Sequence, residues 1–205
     1  DTAGVAVCTS SGDQVAPVLA YNGTDYLVLW QSQADLHGAR VSPHGVVLDP
    51  DGFVVSAAPG TQQHPAVASD GTNFLVVWAD SRNADRDIYG ARVTSAGEVL
   101  DTAGIRICSA AGSQGSAAVE YDGTNFLIVW QDERSGGRDI YGARLTTDGS
   151  ILDTFSVVTQ QGDLYDPVLA RGSGGRMLLA YSGWTGTVED KPYNSPRIWA
   201  TLSPV

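Results

Sequence analysis

Short apolar runs, each ending in an aromatic residue, punctuate this chain: Tyr26 to Trp30, Phe74 to Trp78, Phe126 to Trp130 and Met177 to Tyr181. An unbroken run of this kind predicts a strand buried on both faces, because a strand with one wet face alternates apolar and polar residues. The first three runs follow the pairs Asn22-Gly23, Asp70-Gly71 and Asp122-Gly123. Such pairs readily take φ > 0, so each predicts a tight hairpin that joins the run to a preceding strand such as Pro65-Ala66-Val67-Ala68.

A polar loop, Asp80 to Arg86, then leads to a third strand, Asp87 to Val93, and a turn at Ser95-Ala96-Gly97. The fourth strand is expected through Val99-Leu100 towards Ile105-Arg106-Ile107-Cys108. This unit recurs about every 50 residues, which is the signature of a repeat architecture. Four short antiparallel strands per unit predict an all-β, four-bladed β-propeller in which every blade is a four-stranded antiparallel sheet. The expected blades cover residues 14–60, 63–110, 114–160 and 164–205 of one domain.

The ends of the chain complement each other. Asp1-Thr2-Ala3-Gly4-Val5-Ala6-Val7-Cys8 matches Asp101 to Cys108, a fourth strand with no blade before it, while Arg197 to Leu202 matches the third strand Asp87 to Arg92. Residues 1–9 are therefore expected to complete the C-terminal blade and close the ring, which would also protect a sheet edge.

The repeat Asp-Gly-Thr-Asn-Phe-Leu-Val-Val-Trp (70–78), followed by Asp-Ile-Tyr-Gly-Ala-Arg-Val (87–93), resembles the tandem blade repeats of large secreted bacterial β-propeller proteins. It extends over nearly the whole chain. Four blades closed by a terminal strand also resemble the hemopexin-like architecture. That likeness implies a central channel with calcium or another ion on backbone carbonyls, here near Val18, Val67, Ala118 and Val168. Neither resemblance carries an activity with it.

Composition narrows the partners. The formal net charge of −11 repels nucleic acid and anionic lipid surfaces. The apolar runs are far shorter than the roughly 20 residues needed to span a bilayer as a helix, so no membrane insertion is expected. The start of the chain shows no basic-then-apolar targeting pattern, and a secreted or cell-surface location fits the resemblance.

Few residues suggest chemistry. Arg40, Arg92 and Arg144 share one repeat position, and Arg82 and Arg134 share another, so structural roles against carboxylates or aromatic rings are expected. Leu202 replaces the arginine in the fourth unit. Asp80, Asp85, Asp87, Asp132 and Asp139 bring carboxylates to loops without the spacing of a known calcium loop. Cys8 and Cys108 stand at equivalent positions in blades expected to lie apart, which predicts free thiols. His37, His44 and His64 show no paired metal spacing, although His64 precedes an inner strand and could reach the channel mouth. The long loop after Tyr181 carries Trp184 and Tyr193, aromatics able to stack on a sugar or a partner side chain.

The function expected on these grounds is a secreted, non-catalytic scaffold or binding module that presents loops to a protein, a glycan or another copy of itself. Two alternatives are a polysaccharide-acting enzyme and a carrier of an ion or small ligand in the channel. The enzyme would need two carboxyl groups about 5 to 10 Å apart, and Glu120 is the acidic residue clearly on an inner strand, with Asp163 and Asp166 as its possible partners.

Overall fold

A computed structural model describes residues 4–159, 162–183 and 196–202. Four antiparallel sheets follow one another along the chain. The first holds β1 (Gln14–Tyr21), β2 (Tyr26–Ser32), β3 (Asp35–Val41) and β4 (Phe53–Ser56). The second holds β5 (Gln62–Ser69), β6 (Phe74–Asp80), β7 (Asp87–Val93) and β8 (Ile105–Cys108). The third holds β9 (Gln114–Tyr121), β10 (Asn125–Asp132), β11 (Asp139–Thr146) and β12 (Ile151–Val158). The last holds β13 (Leu164–Arg171), β14 (Met177–Gly183) and β15 (Arg197–Leu202).

Each sheet is a simple meander, and the first strands pack in series, β1 on β5, β5 on β9 and β9 on β13. This is a β-propeller-like arrangement with the first strand of every blade innermost. The apolar runs behave as their sequence predicts: all residues of β6 are buried, because one face packs on the blade before and the other on the blade after. Leu27, Leu29 and Leu36 meet Phe74, Val76 and Trp78 in one core, and Leu75, Val77 and Ile88 belong with Phe126, Ile128 and Trp130 to the next. The hairpin turns are Asx-stabilised. Asp70 Oδ1 accepts the backbone N–H groups of Thr72 and Asn73, and Gly71 takes a φ of 94°.

Two expectations need correction. The fourth strand is shorter than the sequence suggests: Val99 makes only an isolated bridge to Val93, and the regular strand is Ile105–Cys108. The expected closing strand is not seen among the described residues either: residues 4–10 lie in no strand, and the last sheet has three strands there. A strand needs a ladder partner for its N–H and C=O groups, and no ladder joins residues 4–10 to β15 among the described residues.

Candidate functional site at the inner-strand bulges

Every inner strand contains a bulge at the same place. The register shifts between Val15 and Val18, between Gln63 and Ala66 and between Tyr165 and Val168, with the matching shift in β9 opposite Val129 to Gln131. One residue in each bulge takes the left-handed conformation: Ala16 (φ 52°), His64 (51°), Ser116 (46°) and Asp166 (49°). Among the described residues Gln33 is the one other non-glycine with positive φ, so this backbone state belongs to a repeat position and not to scattered turns. A non-glycine side chain held there is strained by about 1 kcal/mol or more, and a bulge re-aims it away from the regular pleat.

The consequence is a row of side chains on consecutive inner strands. Ala16, His64 and Asp166 are exposed and Ser116 is half-buried. The Ser116 hydroxyl donates to Asp166 Oδ1 at 3.4 Å, joining the third blade to the fourth. His64 therefore does occupy a repeat position, one whose other members are not histidine. A readable signal was present, because proline follows three of the four residues, at Pro17, Pro65 and Pro167.

The inner-strand carboxylates are not brought together as a pair. Glu120 stands near the other end of β9, opposite Leu127, and its Oε1 accepts the N–H of Tyr121 at 3.1 Å. Asp163 accepts the Arg138 backbone N–H at 2.9 Å and the Tyr165 hydroxyl at 3.0 Å, and these two bonds hold its carboxyl below the usual carboxylate range. Asp166 is thus the carboxylate that remains at the bulge row, beside the hydroxyl of Ser116.

A second concavity lies between blades 3 and 4, with a volume of about 770 Å³ and a lining that includes Asp122, Arg144, Asp153, Phe155, Met177 and Leu202. Its two carboxylates repeat elements that build every blade. Asp122 closes an Asx turn as Asp70 does, and Asp153 binds Arg144 as Asp49 binds Arg40 and Asp101 binds Arg92. The groove itself follows from what covers each arginine. A Cβ on Gly97 would lie 3.0 Å from Arg40 Nε and one on Gly149 would lie 2.9 Å from Arg92 Nε, so the next blade's turn presses on both. Arg144 instead faces the groove.

The remaining sequence candidates separate clearly. The arginines pair with carboxylates as expected, and Arg82 and Arg134 also stack over Tyr89 and Tyr141 at 4.0 and 3.9 Å. Both cysteines are free. Trp184 and Tyr193 lie outside the described residues. Of the four proposed channel positions, Val18, Ala118 and Val168 are register-equivalent, pairing with Leu29, Val129 and Ala180. Val67 is not: it pairs with Val76, and Ala66 holds the equivalent place opposite Val77. A one-residue slip in an extended strand turns the carbonyl to the opposite side, so those four oxygens cannot form one ring. Among the described residues no group of three or more His, Cys, Asp or Glu side chains could hold a metal, and calcium gains no support from them.

No protein-family model matches the chain, and no curated protein matches it. Solved structures do. A thermostable family-43 glycoside hydrolase overlays on 93% of this chain and 68% of its own, at 13% identity and a TM-score of 0.59. An endo-1,4-β-xylanase from Bacteroides thetaiotaomicron VPI-5482 overlays on 94% of this chain and 78% of its own, at 12% identity and a TM-score of 0.59. A GH43 endo-arabinanase from Bacillus licheniformis does so on 95% and 73%, at 12% identity and a TM-score of 0.54. What these chains share is the fold. The likeness corrects the expectation of a non-catalytic scaffold that is not an enzyme: these three solved structures are a family-43 glycoside hydrolase, an endo-1,4-β-xylanase and an endo-arabinanase.

Proposed function

We propose that this chain acts on a polysaccharide, with Asp166 as its reacting carboxylate and Ser116 as the residue that positions it. The observation that carries this reading is the strained bulge row, which sets a carboxylate, a hydroxyl and an imidazole at equivalent points of consecutive inner strands. Strain kept at one repeat position while the residues there change is what a site under functional demand would produce. The fold shared with xylan- and arabinan-named hydrolases supports the choice of substrate class. Such substrates lie outside the cell, in keeping with the secreted location expected from the repeat.

Asp166 is exposed, which leaves its carboxylate open to a sugar, where such a group can accept a proton or stabilise positive charge at the anomeric carbon. His64 places an imidazole at the equivalent point two blades earlier. The test is release of reducing ends from xylan and arabinan by the purified chain. Asp166→Asn is expected to lower the rate by about 10²-fold or more while leaving the melting temperature in place. Absence of release from both polymers, or release that Asp166→Asn does not change, would overturn the reading.

A further inference from the structure

Each inner strand after the first starts against a residue of the preceding blade, and two of those residues are arginines. The Gln114 N–H donates to the Arg86 carbonyl oxygen at 2.8 Å, and the Leu164 N–H donates to the Arg138 carbonyl oxygen at 2.8 Å. At the first junction Ala34 holds this place, as the acceptor for Gln62. Gln114 and Leu164 lie two residues before Ser116 and Asp166. Arg86 therefore stands to the Ser116 bulge as Arg138 stands to the Asp166 bulge, and both lie at the end of the inner strands that carries the bulge row.

The two arginines are used differently. Arg138 is met by its own chain: its Nε donates to Glu133 Oε1 at 2.8 Å, and its guanidinium carbon lies 5.1 Å from the centre of the Tyr165 ring. At the Arg86 junction the matching positions are Ser81 and Gly115. The Ser81 hydroxyl is turned to Thr61, whose N–H it accepts at 2.8 Å and whose Oγ1 lies 3.0 Å away. The aspartates on either side of Arg86 do not take the place of Glu133. Asp85 is exposed, and Asp87 accepts Asn83 Nδ2 at 2.7 Å.

A guanidinium partly withdrawn from water is costly to leave without an acceptor. Arg40, Arg82, Arg92 and Arg138 are half-buried, and each holds a carboxylate at 2.7 to 2.9 Å. Arg86 is half-buried as well, yet among the described residues its side chain has no hydrogen-bond or ion-pair partner. Its repeat mate shows which group suits the position. Glu133 brings a carboxylate to Arg138, and the guanidinium fork is matched to that group in shape and charge.

We propose that Arg86 binds the carboxylate of an acidic sugar in the polysaccharide that reaches Asp166; the assignment rests on the polysaccharide-acting reading of that site. The net charge of −11 decides which kind of polymer fits, because it repels one that is charged at every residue. A neutral backbone with isolated acidic substituents escapes most of that repulsion, and its carboxylate meets Arg86 at contact distance, where the local pair outweighs a field screened by salt. A xylan bearing glucuronic acid has this chemistry.

Calorimetric titration of the whole chain compares two probes: xylotetraose, and xylotetraose carrying one glucuronic acid. The acidic probe is expected to bind about tenfold tighter or more. Arg86→Gln should bring its affinity down to that of the neutral probe. Ser81→Glu sets against Arg86 the carboxylate that Glu133 sets against Arg138, and should have the same effect with the guanidinium kept. Equal affinities in the wild-type chain, no binding of the acidic probe, or a preference that either variant retains would overturn the proposal. The titrations read binding alone. Xylan cleavage that depends on Asp166 would survive each of those outcomes, and a preference lost in both variants would stand in a chain that cuts nothing.

Discussion

The indole N–H of Trp78 donates to Asp80 Oδ2 at 2.8 Å, and the same carboxylate holds Arg82 through its Nε and Nη2. Trp130, Asp132 and Arg134 repeat this clasp in the third blade. In the first blade Ser32 stands where the aspartate would be, the two-residue turn Gln33-Ala34 replaces the loop that carries the arginine, and the buried Trp30 indole nitrogen has no partner among the described residues. Ser32→Asn, which offers the Trp30 N–H a neutral acceptor, should stabilise the chain by about 1 kcal/mol, read as a higher urea midpoint with unchanged slope. Asp80→Ala should cost about 3 kcal/mol, because it leaves the Trp78 N–H and the largely buried Arg82 without their acceptor.

Acid should weaken the fold through a defined set of carboxylates. The Asp49 and Asp101 carboxyls are held below the usual aspartate range chiefly by hydrogen bonds from Arg40 and Arg92. Burial pushes the Asp80 carboxyl up, but Arg82 and the Trp78 N–H outweigh it and leave it lowered. The unfolded chain takes up protons at the ordinary value of about 3.9, whereas the native chain resists until lower pH. The stability these groups contribute is therefore present above that value and lost as pH falls through their folded values. Urea midpoints measured from pH 7 to pH 3 should hold until about pH 5 and then drop, and Asp101→Asn should flatten the drop.

The two thiols should react at very different rates. Cys108 is buried and its Sγ accepts Arg134 Nη2 at 3.1 Å, and burial raises its thiol above the usual range despite the Ala110 N–H and Arg134. Cys8 is only half-buried. A colorimetric thiol assay on the native chain should count one prompt thiol, with Cys8→Ser abolishing it and the second appearing only in denaturant.

Gly60 closes the approach to β5 with a φ of 85°, and a Cβ there would lie 2.7 Å from the Ser81 carbonyl oxygen. That atom belongs to the backbone and cannot swing away. Gly60→Ala should lower stability by about 2 kcal/mol, more than the left-handed strain alone, as thermal unfolding would show.

Several features could be read directly from the residues. The period, the hairpin turns, the doubly buried runs and the arginine positions all depend on local chemistry that repeats in identity, so Asp-Gly pairs and apolar runs announce them. The bulge row was passed over because Ala16, His64, Ser116 and Asp166 have nothing in common as side chains. Their shared property is a backbone angle, visible in sequence only as the proline that follows three of them. Val67 shares its identity with Val18 and Val168, but Ala66 holds their place, next after the proline.

The sequence by itself determined the blades, because a strand pattern, a turn and a buried run are each set by neighbours a few residues apart. Only the tertiary structure decided how the blades pack on one another. The matching ends, Asp1 to Cys8 and Arg197 to Leu202, are compatible with closure on one chain or across two. The packing of successive sheets rests on three shared cores, each a sum of side-chain volumes over many residues that no local pattern reports.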